Sequence, residues 1–113
     1  MITHQMKLAR TPFEKVKNGQ KIIESRLYDE KRQQINIGDL IKFICNDNQV
    51  ESITVKIKAL YRYQSFNDLF FDFPPEYFGG SSKESLIEEV RKFYPTEEEQ
   101  RHGVIGKKLE LEK

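Results

Sequence analysis

The stretch SITVKIKALYRY, residues 52–63, alternates apolar and polar side chains for most of its length. Ile53, Val55, Ile57 and Ala59 fall on one face, and Thr54, Lys56 and Lys58 on the other. A period of two marks a half-buried β-strand, whereas a helix repeats every 3.6 residues. Just upstream, residues 40–45 read LIKFIC, an apolar run of strand composition, and residues 46–49 read NDNQ, a tip rich in turn formers. Together they predict a β-hairpin with Ile53, Val55 and Ile57 facing a core. Burying those three aliphatics contributes roughly 1.5–3 kcal/mol each.

The segments on either side must cover that apolar face. Gln5 to Ala9 reads as a short strand with Met6 and Leu8 on one side. Thr11-Pro12-Phe13-Glu14 combines a capping residue, a proline suited to the first helical position and a glutamate that closes a capping box. The short helix they start ends at Asn18-Gly19, with Gly19 in the left-handed conformation. Lys21 to Leu27 is a strand, Asp29 to Asn36 a charged turn, and Ile37-Gly38-Asp39 the turn into the hairpin.

Beyond the hairpin, Ser65 caps a short helix whose Phe66, Leu69 and Phe70 pack. Pro74-Pro75 and Gly79-Gly80 bracket an aromatic loop holding Tyr77 and Phe78. Ser82 begins a helix with Leu86, Val90 and Phe93 on one stripe, stopped by Tyr94-Pro95. Thr96 and Glu99 form a second capping box, Gly103 closes that helix, and Val104 to Leu111 is the last strand. The order β-α-β-β-β-α-α-α-β predicts an α+β fold: a small β-barrel of mostly antiparallel strands with helices covering its ends.

A chain of 113 residues is expected to form one domain, residues 1–113. It carries 33% charged residues beside eight Phe and five Tyr, a solvated surface around an aromatic core rather than a disordered composition. The single cysteine, Cys45, excludes an intramolecular disulfide, and its apolar strand makes it a buried small hydrophobe. His4 and His102 lie far apart without a cysteine near either, so neither a metal site nor a cofactor is expected. No apolar run approaches the ~20 residues of a membrane span, and the N-terminus lacks the pattern of a signal peptide. The expected location is the cytoplasm. Residues 1–66 hold 12 Lys/Arg against 7 Asp/Glu, and residues 67–113 hold 7 against 11. That footprint is weak for a long duplex but ample for one nucleotide or a short single strand.

Residues 19–26 read GQKIIESR, which fits G-x-K-x-x-E-x-R. In a strand, Glu24 and Arg26 lie on one face about 7 Å apart, close enough for the guanidinium to steady the carboxylate. Lys21, just after the flexible Gly19, can turn its ammonium to the same space. The three make a compact polar site, or else a solvated edge strand with an ordinary salt bridge. Arg62, Tyr63 and Ser65 offer a phosphate partner, a stacking ring and a hydroxyl; the other reading is a core tyrosine and a helix cap. Tyr77 and Phe78 read either as a lid over the cleft or as cover for the barrel end. The Glu97–Glu99 run reads as a solvated helix N-terminus.

G-x-K-x-x-E-x-R after a short helix resembles the signature of the ASCH domain, a PUA-like family. The likeness extends to Pro12-Phe13, Leu27 to Arg32, Gly38-Asp39, Arg62 to Phe70 and the closing GVIG of residues 103–106. It implies a PUA-like barrel whose cleft accepts a nucleotide, a nucleoside or part of an RNA. Some bacterial members resemble amidohydrolases that deacetylate N4-acetylcytidine, using a Lys, a Thr and a Glu, and at least one resembles a ribonuclease. Here Lys21 matches the lysine, Glu24 stands at the threonine position, and Glu76 is nearest the third. Two functions therefore stand side by side. One is a module that binds RNA or a nucleotide through Lys21, Glu24, Arg26, Arg62, Tyr63 and Ser65. The other is a small hydrolase using Lys21 and Glu24 as acid–base groups.

Overall fold

The computed structural model describes residues 2–47 and 50–112. Along the chain lie β1 (Thr3–Leu8), α1 (Arg10–Lys17), β2 (Ile23–Leu27), a 3-10 turn at Arg32–Gln34, β3 (Leu40–Cys45) and β4 (Ser52–Tyr63). Then follow α2 (Phe66–Phe71), a 3-10 turn at Pro75–Phe78, α3 (Lys83–Arg91), α4 (Thr96–His102) and β5 (Val104–Leu111). The element order is the expected one. Of the expected hairpin tip, residues 48 and 49 lie outside the described residues.

The five strands form one sheet in the order β1-β3-β4-β5-β2. Only β1 and β3 run parallel; the other three pairings are antiparallel. The sheet curls into a half-barrel, an α+β architecture of the PUA-like kind. β1 and β2 are its two outer strands.

One core holds Met6, Leu8, Phe13, Val16, Phe43, Val55, Ile57 and Leu109, with α1 contributing Phe13 and Val16. A second core packs Ile23, Leu27 and Val104 against α2 and α3, which add Phe66, Leu69, Phe70, Leu86 and Val90. β4 serves both cores because its register slips between Ile57 and Ala59. An extra residue reverses which face the following side chains point to. Val55 and Ile57 are buried and Ile53 partly so, as expected. Ala59, expected inward, is displaced: Leu60 packs against the first core, while Tyr61 and Tyr63 pack against the second.

Of the four expected helix starts, two hold and two differ. Ser65 accepts from Asp68 N at 3.1 Å and Ser82 begins α3, as read from the sequence, and Ser82 also makes a reciprocal capping box with Ser85. Helix α1, however, begins at Arg10 after Ala9, with no side-chain cap, and Glu14 pairs with Arg10 at 2.9 Å instead. Pro12 then sits at the third helical position, where its missing N–H still costs nothing. Helix α4 follows Pro95, also without a side-chain cap. Glu99 is not part of a solvated face: it is buried, accepts from Phe66 N at 2.9 Å and pairs with Arg91. Phe93 leaves the expected stripe because α3 ends at Arg91, and the residue is 68% exposed. Tyr94 takes its place, stacked on Phe66 at 5.6 Å between ring centroids.

Candidate functional site

Regular pairing of β2 begins at Ile23, two residues later than expected, so Lys21 precedes the strand rather than opening it. Its backbone is held by Lys15, whose carbonyl accepts from Lys21 N at 2.9 Å. The next amide, Ile22 N, donates to Tyr77 O at 2.8 Å, which ties the 75–80 loop to the start of β2. Lys15 Nζ closes the clamp by donating to Gly79 O at 2.6 Å. Gly79 has φ +82°, and a Cβ there would lie 3.2 Å from Lys15 Cδ and 3.3 Å from Lys21 Cβ. Only glycine lets the loop approach this closely in a left-handed conformation.

Strand parity puts Glu24 and Arg26 on one face, and the segment before β2 brings Lys21 to them. Arg26 Nε donates to Glu24 Oε1 at 2.9 Å, and Lys21 Nζ lies 3.1 Å from Glu24 Oε2. The second contact is an ion pair. Glu24 is only 4% exposed. Burial alone would raise its pKa, but Lys21, Arg26 and Lys107 outweigh it and hold the carboxyl at about 2. Burial likewise works against the charge of Arg26, and Glu24 with Tyr94 keeps its pKa above the usual arginine value.

These side chains form the floor of a cleft of about 1060 Å³. The cleft opens where the half-barrel does not close: Lys7 and Leu8 of β1 line one side, and Glu24 to Arg26 of β2 the other. Its far wall is apolar, built from Phe70, Phe78, Leu86, Val90 and Phe93, with Tyr94 beside Arg26. Glu76 also lines it, exposed to solvent. Of the two loop aromatics, Phe78 is buried against Phe70 and forms wall rather than lid, while Tyr77 is exposed.

Arg62, Tyr63 and Ser65 are not brought to this cleft. They border a separate depression of about 710 Å³ with His102 and Gly103. Arg62 lies over the Tyr28 ring, 3.9 Å from its centroid. Tyr63 donates its hydroxyl to Asp72 at 2.6 Å, a bond that pushes the phenol up to about 12. The Ser65 oxygen is occupied as the α2 cap. The bulge in β4 turns Tyr63 to the face that packs against α2 and α3.

The sequence reading missed Lys107. Antiparallel pairing sets it directly opposite Glu24, and its side chain is 0% exposed. Its Nζ has no hydrogen-bond partner. Burial pushes its pKa down to about 7; Glu24 opposes the fall, and Arg26, Arg32 and Lys21 add to it. The signal was present in the parity of β5, where Ile105 and Leu109 flank Lys107 on the same face and are both buried. Among the described residues, no group of three or more His, Cys, Asp or Glu is placed to hold a metal ion, and no helix is long and apolar enough to cross a membrane.

A family profile described as the ASCH domain matches residues 6–113. The chain belongs to the ASCH-domain family. The crystal structure of the hypothetical protein PH0355 is similar to it with a TM-score of 0.86 and 34% identity, covering 98% of this chain and 100% of that one. The solution structure of protein PF0455 from Pyrococcus furiosus gives 0.77 and 35%, covering 97% of each chain. An ASCH protein from Zymomonas mobilis shares the fold at 13% identity, with a TM-score of 0.65 over 96% of this chain and 66% of its own. No curated protein matches the chain. In this ASCH domain the G-x-K-x-x-E-x-R stretch therefore lies on the floor of the cleft in the open side of the barrel.

Proposed function

We propose that this ASCH domain works as one unit that binds a nucleotide or a short single-stranded RNA, holding one base or nucleoside in the cleft above Lys21, Glu24 and Arg26. The observation that carries the reading is a charged floor under an apolar, partly aromatic wall. Ligand pockets combine a mostly apolar lining with a few fixed polar groups, and single-stranded RNA is read by stacking and by hydrogen bonds to base edges. Arg26, fixed by Glu24 and Tyr94, offers a planar set of donors for a base edge or a phosphate. Lys21 adds a movable charge, and Phe93 a solvent-facing ring at the rim. A single free thiol and the absence of a membrane-spanning helix among the described residues fit a cytoplasmic setting.

The hydrolase alternative gains less from the geometry. A carboxylate held at about 2 by flanking cations is a weak base near neutral pH, so Glu24 suits a structural anchor better than an acid–base role. Titration calorimetry with nucleosides, nucleoside monophosphates and short RNAs tests the proposal on the parent and on Lys21→Ala. Loss of one charged contact costs on the order of 1.5–3 kcal/mol, about 10- to 100-fold in affinity. Equal affinity of both folded proteins for every probe refutes the assignment of Lys21. Turnover of acetylated cytidine by the parent favours the hydrolase.

A further inference from the structure

We propose that Lys107 is a positioning residue beneath the cleft which takes up a proton when an anionic ligand binds, so that ligand capture and the charge of Lys107 are coupled. This rests on the nucleotide-binding reading and extends it to the state of a residue no ligand touches.

The geometry comes first. Lys107 is wholly enclosed and its ammonium has no hydrogen-bond acceptor. The carboxylate opposite, Glu24, already faces Arg26 and Lys21 with its two oxygens. Each neighbouring element adds to the imbalance. The segment before β2 contributes Lys21, β2 contributes Arg26 and Glu24, and the 3-10 turn contributes Arg32. β4 offers the apolar Leu60 as the register partner. Arg32 has its own carboxylate, Asp29, at 2.8 Å, yet its buried Nε also lacks a partner. A charged Lys107 thus sits among three cations with one carboxylate that two of them share.

Burial and that cationic company set Lys107 to titrate near 7 in the free protein. A phosphodiester placed beside Lys21 and Arg26 adds the missing negative charge and favours the protonated form. One proton passes from solvent to Nζ, and no other bond changes. Linkage is reciprocal: a ligand that raises the pKa of Lys107 binds tighter when Lys107 is already protonated. Affinity is therefore greatest below pH 7. It falls as pH rises from there to the pKa of the bound state, by up to ~10-fold per pH unit.

The test uses a cytidine–adenosine dinucleotide, whose single phosphodiester keeps its charge from pH 6 to 9. Its affinity is measured across that range for the parent, Lys107→Met and Lys107→Arg, with circular dichroism confirming the fold. The expected parent profile falls above pH 7, and both variants are flat, because neither side chain titrates there. Carbon NMR at Lys107 Cε in the parent needs no variant to fold, and its midpoint is expected to move upward when the dinucleotide binds. Binding with a flat parent profile, or an unmoved Lys107 midpoint, overturns the coupling. Failure of the folded parent to bind at any pH is a different result: it overturns the nucleotide reading itself and the coupling with it.

Discussion

Replacing Glu24 by Gln keeps the shape of the side chain and removes the one negative charge shared by Lys21, Arg26 and Lys107. The depressed carboxyl measures what that charge is worth. Its pKa falls from 4.5 to about 2 on folding, and at ~1.4 kcal/mol per pKa unit this is about 3 kcal/mol of stability. Because the folded value lies below the unfolded one, that stability is fully present above about pH 4.5 and disappears as pH falls towards about 2. Removing one partner of a buried ion pair costs about 3–5 kcal/mol in general. The lower end applies here, since Lys107 can release its proton and Lys21 and Arg26 can reach water. At pH 7, Glu24→Gln is expected to lose about 3 kcal/mol, roughly 10 °C in Tm for a chain of this size. Urea unfolding followed by circular dichroism reads the difference at pH 7 and again at pH 2, where it should shrink below about 1 kcal/mol. A variant within about 1 kcal/mol of the parent at pH 7, or a gap that persists at pH 2, refutes the account of the cluster.

Three further outcomes follow from the geometry. Gly79→Ala forces a Cβ into a left-handed residue against Lys15 and Lys21; it should cost about 1–2 kcal/mol in thermal unfolding and weaken whatever the cleft binds by displacing Lys21. Ser65→Ala should cost about 1 kcal/mol through loss of the α2 cap, while dinucleotide affinity measured on it and on Arg62→Ala stays at the parent value; a tenfold loss in either would join the second depression to the site. Glu99→Ala leaves the buried Phe66 amide without an acceptor and Arg91 without its carboxylate, so denaturant unfolding should report a loss of at least about 2 kcal/mol.

Features that depend on neighbours along the chain were legible in the sequence. The hairpin of β3 and β4, the Ser65 and Ser82 caps, and the shared face of Glu24 and Arg26 all follow from spacing within a few residues. What escaped depends on partners far away. Thr96-x-x-Glu99 has the form of a capping box, but the carboxylate is drawn instead to an amide 33 residues away. No residue at 57–59 announces a bulge, because Lys58 is ordinary on an exposed strand face. That one inserted residue moved Ala59 off the face of Val55 and Ile57 and turned Tyr63 to the opposite one. Lys107 was not singled out within the last strand. The parity of β5 puts it on the face of Ile105 and Leu109, and pairing with β2 and β4 on either side encloses it opposite Glu24.

The position of the charged cluster follows from the topology. A barrel that closed by pairing β1 with β2 would fill the space between them with backbone hydrogen bonds and apolar side chains. Here β1 and β2 are the two ends of the sheet, and the first turn of α1 and the 75–80 loop stand beside the gap. An open seam lets water and ligand reach a face that would otherwise be core, so that face can carry charges. Glu24 sits deep enough to be shielded yet beside a cleft, which makes its ion pairs strong, and Lys21 and Arg26 stay close enough to the opening to meet a ligand. Lys107 lies one strand further in, beyond the reach of solvent, and has the depressed pKa that depth demands. The charge that contacts ligand and the charge that titrates are therefore different residues, separated by one step across the sheet. Substitutions at Lys21 should accordingly change affinity at every pH, whereas those at Lys107 should change how affinity varies with pH.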